Sequence, residues 1–200
     1  MSRLARHARL HAFRIFARRL GAARPDPAGC LDYRFLGERD VLPLCADPSL
    51  ELAGSKVKAA YGRGDLCVGA FDGAHLAGYC WFALSAAPYL NGAWLEFPPE
   101  LVYTYKSYVR PAFRGRGVAA ALYRFADPVF LECGRETAIV CIESHNWPSI
   151  AAARRGGFSV AGCAVYAGDA RLLAWCSSKA ARYGLRFHVP ASRRPIVQPA

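Results

Sequence analysis

Apolar and polar positions alternate through the middle of the chain and take up helical spacing in only a few short stretches. "DLCVGAFDG" and "HLAGYCWFALSA" alternate on either side of Asp72 and Gly73, a pair that favours a tight turn, so these runs are expected to form a hairpin. In "LVYTYKSYV" strand periodicity puts Tyr103, Tyr105, Ser107 and Val109 on one face and Thr104, Lys106 and Tyr108 on the other. Beyond it Val118, Leu122, Phe125 and Val129 recur at helical spacing, with Pro128 as a kink and Gly134 as a stop. "TAIVCIES" is apolar on both faces, as a buried central strand is. "PSIAAARR" has Pro148 near its start and Gly156-Gly157 past its end, the punctuation of a short helix. "LDYRFL" before this region and "FSVAGCAVYAG" and "RLLAWCSS" after it are further strands, and helical pieces broken by Pro43 and Pro48 follow the first. The order predicts a mixed α/β domain: antiparallel N-terminal strands, one central parallel strand-helix-strand crossover, a short helix and a C-terminal hairpin. A doubly wound sheet does not fit it.

Length and composition agree with one globular domain, since 200 residues at 54% hydrophobic fill a sizeable core. No apolar run reaches the ~20 residues of a membrane span without Gly, Pro or Asn, so a soluble chain without a transmembrane helix is expected. The net charge of +11 changes the picture only at the ends. Residues 1 to 29 hold seven arginines against one aspartate, residues 179 to 200 hold five basic residues and no acid, and residues 30 to 178 balance at 14 basic and 14 acidic. Three segments follow: a basic N-terminal arm (1–29), a globular domain (30–178) and a basic C-terminal tail (179–200). The arm has Leu10, Phe13, Phe16 and Leu20 near one side of a helix, so helix is expected there. A basic end makes weak contact with phosphates or an anionic membrane, or is simply solvated. Its Arg-rich, acid-poor composition is also that of a transit peptide; the cytoplasm is the expected location. The eight cysteines show no CxxC pair and no zinc spacing, and no metal is expected; Cys67, Cys80, Cys141, Cys163 and Cys176 fall in apolar runs and are assigned to core packing in a reducing compartment.

Candidate chemistry gathers at "YVRPAFRGRGVAAALYRF", residues 108 to 125. Two arginines alternate with Gly115 and Gly117 where a strand ends and a helix begins. The first turn of a helix offers N–H groups without intrahelical partners and the positive end of the macrodipole, and glycines let an anion approach that backbone closely. Arg114 and Arg116 add charge. A tight turn with solvated arginines is the plainer alternative. "GRGVAA" satisfies G-x-G-x-x-A, but a dinucleotide site wants repeated βαβ units and an acid closing the next strand about 20 residues on; Glu143 lies later, and a nucleotide-dependent oxidoreductase is a remote alternative.

The fuller string resembles something else. "VRPAFRGRGVA" is similar to the V-x-P-x-(aromatic)-R-G-x-G-x-(G/A) segment of the GNAT family of acyl-CoA-dependent N-acyltransferases, with Arg114, Gly117 and Ala119 meeting its core. "NWPSIAAARRGGF" is similar to the family's N-x-x-(A/S)-I-x-x-x-x-x-x-G-F block at Asn146, Ser149, Ile150, Gly157 and Phe158. The resemblance covers residues 30 to 178. It implies that the strand before the corner and the strand after the helix run parallel and splay, with acetyl-CoA or another acyl-CoA in the opening. Tyr108 and Val109 would bond the pantetheine, the backbone of Arg114, Gly115, Arg116, Gly117, Val118 and Ala119 would hold the pyrophosphate, and Asn146 would reach the pantetheine end; as residues alone, Asn146 reads equally as a helix cap. One position departs from the family: where a tyrosine often stands to protonate the leaving thiolate, this chain has Ala153.

The implied reaction is direct attack by a primary amine, on a small molecule or a protein, in a ternary complex; no cysteine has a partner marking it as a nucleophile. Glu143 and His145 are candidate catalytic bases, each with a plain reading as a solvated strand end. Residues 86 to 101 form a long connection whose Tyr89, Trp94 and Phe97, with Tyr103 and Tyr105, either wall the acceptor or pack over the sheet. Strongly acidic acceptors gain no support from a core neutral in sum. From a different class, a non-catalytic GNAT-like module docking through its basic ends on nucleic acid or an anionic membrane is the alternative.

Overall fold

The computed structural model describes residues 9–21, 31–89, 93–168 and 173–188. Hydrogen bonding joins eight strands into one twisted sheet in the order β10-β9-β1-β8-β7-β4-β3-β2, where β1 is Arg9–Arg19, β2 Asp32–Leu36, β3 Leu66–Asp72, β4 His75–Ala83, β7 Leu101–Val109, β8 Thr137–Glu143, β9 Ser159–Gly168 and β10 Leu173–Cys176. All neighbours are antiparallel except β7 and β8. The hairpin expected around Asp72 and Gly73 is β3-β4, and β9-β10 is the closing hairpin.

One side of the sheet carries α3 (Val118–Phe125), α4 (Asp127–Glu132) and α5 (Trp147–Arg155). Here Phe16, Phe82, Val102, Leu122, Phe130 and Ile150 make a continuous core, each such side chain contributing about 1.5–3 kcal/mol. The predicted helix is divided at Ala126 into α3 and α4, with Pro128 in the first turn of α4. The other side carries α1 (Glu38–Val41) and α2 (Gly54–Gly62), under which Val41, Leu50, Val57, Tyr79 and Trp81 cluster. Beside them a small second sheet covers Phe13, Ile15, Leu95, Tyr103 and Ile139.

That second sheet corrects the long connection expected at 86–101. Its residues form β5 (Ala86–Pro88) and β6 (Trp94–Glu96), and β6 pairs with β11 (Arg186–His188) near the C-terminus. Phe97 packs on Tyr103, and Tyr89 packs on Phe13 and Phe187, so part of the aromatic set lies over the sheet. The tail boundary at 179 is corrected with it, because α6 (Ser178–Ala181), with its buried Ala180, and β11 belong to the fold. Residues 189–200 lie outside the described residues.

The N-terminal arm departs furthest from expectation. Its described part is no helix: β1 lies in the middle of the sheet, antiparallel to β8 on one edge and to β9 on the other, so the domain does not begin at residue 30. The spacing of Leu10, Phe13, Phe16 and Leu20 imitates a helix because a central strand buries both faces: Phe13, Ile15 and Ala17 go to one core and Phe16 to the other. Basic residues expected in solvent are engaged. Arg18 is inside, its guanidinium bidentate to Asp127 (2.5 and 2.9 Å), also donating to Tyr123 O (3.0 Å) and lying over the Phe158 ring. Arg14 lies over Trp147. Residues 1–8 and 22–30, which carry the rest of the arm, lie outside the described residues.

Two smaller corrections concern faces. Between Trp81 and Phe82 the β4-β7 register shifts, Lys106 facing Trp81 and Thr104 facing Phe82, so Tyr105 is the extra residue of a bulge. Strict alternation along β7 ends there: Tyr103, Tyr105 and Tyr108 share the α2 side, while Val102, Ser107 and Val109 face α3. Cys67 and Cys80 are buried as expected, Cys141 is half-buried, and Cys163 is exposed rather than packed; the side chain of Cys176 lies outside the described residues.

Candidate functional site

The site begins where two strands part. β7 and β8 pair in parallel only from Leu101–Thr104 to Thr137–Val140, although β7 runs on to Val109 and β8 to Glu143. Beyond the bulge β7 follows β4, and β8 follows β1 as far as Phe13↔Glu143, so the two edges diverge. At the vertex sits Thr104, 1% exposed, its hydroxyl without a hydrogen-bond partner. Arg110 N–H donates to Ala77 O (2.8 Å). Strand alternation therefore turns the Tyr108 backbone toward β4, where its ring stacks on Tyr79, and turns Val109 N–H and C=O toward the opening. Arg114 Nε donates to Val109 O there (3.0 Å).

The corner follows at once. A 3-10 turn, Pro111–Phe113, leads to Gly115 (φ 78) and Gly117 (φ 82, ψ 0), both left-handed, a conformation glycine takes without a Cβ clash. Gly117 is the N-cap of α3, and the first helical bond runs from Ala121 N–H to Gly117 O (3.0 Å). Among the described residues no backbone acceptor takes the N–H groups of residues 115 to 120. Of these, Gly115 and residues 117 to 120 border a cleft of about 480 Å³ between α3 and α5, with Arg114 and Arg155 among its cationic borders and Val109 and Phe113 among its apolar ones. The buried Val118 and the half-buried Ala119 both line it. Arg116 does not border it, its guanidinium lying 5.6 Å from the Phe113 ring. Arg110 braces the approach through Leu76 O (2.8 Å) and Asp47 Oδ2 (2.6 Å), and hydrogen bonds from Ser49 and then Arg110 hold the Asp47 carboxyl below its ordinary pKa.

Through the parted strands the cleft meets a second cavity of about 530 Å³, bordered by Thr104, Tyr105, Glu143 and Asn146. Tyr123 of α3 lines both, its Oη 3.0 Å from Ser107 Oγ. Burial pushes the Tyr123 phenol well above its ordinary pKa, so it stays protonated at neutral pH and able to donate. Ala153, at the expected place of a tyrosine, is fully buried in α5; on the same side a Cβ on Gly156 would stand 3.1 Å from the Tyr123 ring. The Arg18 contact to Tyr123 O ties this residue to β1.

Glu143, one-third exposed, lies between His145 Nε2 (3.3 Å) and His11 Nδ1 (3.6 Å). His145 is largely solvated. Asn146 caps α5, its Oδ1 accepting from Ser149 N–H (3.2 Å), and it borders the second cavity. Glu143 and Asn146 thus border one mouth of the opening, with His145 against Glu143, and Val109, Arg114, Gly115 and residues 117 to 119 border the other. Sequence reasoning missed Tyr123, Thr104, Arg155 and His11. Tyr123 had a signal, since it stands four residues after Ala119 on the helical face over the corner; His11 had none while residues 1–29 read as an arm. Among the described residues no cluster of His, Cys, Asp and Glu could hold a metal, and no helix is long and apolar enough to cross a membrane.

A family model described as the acetyltransferase (GNAT) family matches residues 34–158. Solved structures similar in fold include a GCN5-related N-acetyltransferase from Sphaerobacter thermophilus (16% identity, TM-score 0.53, 76% of this chain and 49% of that one). Others are a GNAT-family acetyltransferase from Colwellia psychrerythraea (17%, 0.52, 79% and 56%) and a tandem GNAT protein of the clavulanic acid biosynthesis pathway (18%, 0.50, 76% and 50%). The chain spans about half the length of each. No curated protein matches it.

Proposed function

The chain belongs to the acetyltransferase (GNAT) family, and from that premise we propose that it transfers an acyl group, most simply acetyl, from acyl-CoA to a primary amine by direct attack in a ternary complex. The observation that carries this reading is the row of unpartnered N–H groups at residues 115 to 120, opening beside a strand pair that has parted. The residues fit the co-substrate. The glycine-flanked backbone accepts a pyrophosphate, Arg114 and Arg155 add countercharge, Val109 offers strand-edge N–H and C=O groups, and Thr104 has a buried hydroxyl that a ligand would satisfy. When bound, acyl-CoA supplies an activated thioester whose carbonyl carbon the amine attacks, releasing a thiolate.

Glu143 takes the proton from the attacking amine at its carboxylate, with His145 beside it leading to solvent. Tyr123 holds its proton on Oη at the junction of the two cavities and gives it to the departing sulfur, in the role left open by Ala153; Ser107, in contact with Oη and open to solvent, restores it. Tyr108, whose backbone is engaged with β4, contributes its ring to the wall, and Val109 alone carries the strand-edge role.

Isothermal titration with acetyl-CoA tests the reading: binding in the micromolar range is expected, and no heat at millimolar ligand overturns it.

A further inference from the structure

Outward from the second cavity runs a third, of about 720 Å³, along α2; Glu51, Pro88, Tyr89, Tyr105 and Lys106 border both, so the two form one groove leading away from the opening. Its walls are aromatic: Trp81 with Tyr105 at a ring separation of 6.4 Å, and Tyr89 and Trp94. Its charges are unevenly placed. Lys106 Nζ donates to Glu51 O (3.0 Å) and lies 3.4 Å from Glu51 Oε2, a pair that is neutral in sum and borders both halves. With that pair set aside, the inner half keeps one carboxylate, Glu143, and the outer half keeps two cations, Lys56 and Arg63. Arg63 has a counterion in Asp65, but that carboxylate is 2% exposed, its Oδ2 also accepting from Tyr105 OH (3.0 Å), while the Arg63 guanidinium reaches the Trp94 ring at the groove wall (5.5 Å). A ligand in the groove therefore meets an acid near the opening, aromatic rings along its length and basic groups at the far end. The neutral sum over residues 30 to 178 conceals this local separation.

We propose that the acceptor is an arylalkyl primary amine whose end remote from the amine bears a carboxylate. The ammonium end is drawn toward Glu143, the ring lies among Tyr89, Trp81, Tyr105 and Trp94, and the carboxylate faces Lys56 and Arg63. A polycation meets like charge at the outer end, which disfavours it. This assignment rests on the acyl-transfer reading above, whose amine it identifies by class.

The test uses the full chain with acetyl-CoA and three acceptors of equal body: 4-(2-aminoethyl)benzoate, its methyl ester, and the analogue with trimethylammonium in place of the carboxylate. The expected order of kcat/KM is carboxylate, ester, cation, with at least about tenfold between the first two and most of it in KM. Lys56→Glu, on the exposed face of α2, is expected to reverse the order of carboxylate and cation while acetyl-CoA affinity is retained. Calorimetry with the carboxylate amine alone, on the wild-type chain and on K56E, reads the groove without turnover. Lys56-dependent binding there upholds the assignment even if acetyl-CoA fails to bind, a result that would sink the acyl-transfer reading by itself. Equal kcat/KM for the three acceptors, preference for the cation, or amine binding indifferent to Lys56→Glu overturns the assignment and leaves acyl transfer standing wherever acetyl-CoA binds.

Discussion

The two sides of the opening between β7 and β8 are built in different ways. On the cleft side, consecutive residues 109 to 120 supply the strand edge, the left-handed glycines and the unpartnered N–H groups, and the working atoms are mostly backbone. On the groove side Glu51, Tyr89, Trp94, Tyr105 and Glu143 come from separate segments, and side chains line the space. A backbone site depends on local conformation and tolerates exchange of exposed side chains. A side-chain groove depends on the packing that brings distant segments together, and each residue in it tunes selectivity. Substitutions should divide along this line.

The frame common to both sides should show the largest effect. Arg18→Met leaves the Asp127 carboxylate, 1% exposed, buried without its partner, and breaking such a pair costs about 3–5 kcal/mol. Denaturant unfolding is expected to show that loss, with acetyl-CoA binding and acceptor turnover falling together. A variant as stable as the wild type would show that β1 does not hold the two sides in register. At the junction, Tyr123→Phe keeps the ring and removes the proton, so kcat should drop about 10²-fold, about 2.7 kcal/mol of barrier, with acetyl-CoA affinity nearly unchanged by titration. An unchanged kcat where chemistry limits the rate would return proton donation to water.

On the cleft side, Gly117→Val puts a β-branched residue at φ 82 and narrows the approach to the backbone. Acetyl-CoA binding should weaken at least tenfold, about 1.4 kcal/mol or more, with the fold retained by circular dichroism. Arg116→Ala should have the smallest effect, no more than about fivefold and shrinking as salt rises, because this exposed guanidinium lies over Phe113 and away from the cleft. A reversed ranking would make the arginines the principal phosphate ligands and dissolve the contrast between a backbone side and a side-chain side.

How much was legible follows the same division. "RPAFRGRGVAA" announced its corner because every element of it lies within a dozen residues, glycines falling directly before a helical period; that both glycines are left-handed was seen only in the backbone. The capping of α5 by Asn146 was likewise local. Residues 9 to 19 were misread because a strand buried on both faces loses its period-2 signature, and its two inward arginines looked like solvated charge. The face of Tyr108 changed for another reason: a one-residue bulge reverses alternation downstream, and pattern alone does not reveal a bulge. Cutting away residues 1–29 as though they were an appendage would therefore remove a central strand, so loss of function in such a truncation does not speak for docking through a basic arm.

By itself the sequence determined the β3-β4 hairpin, the strand-corner-helix-strand run from residue 101 to 143 and the short helix after it, since turn chemistry, capping and side-chain period act over a few residues. Tertiary structure alone decided that β1 enters between β8 and β9, that β7 and β8 part after Thr104, that Tyr123 stands at the junction of the two cavities, and that Lys56, Arg63 and Glu143 lie along one groove. The reason is physical. A strand edge offers the same N–H and C=O groups to any partner, so which strands pair, and which distant side chains then meet across them, depends on how all the apolar faces are buried at once.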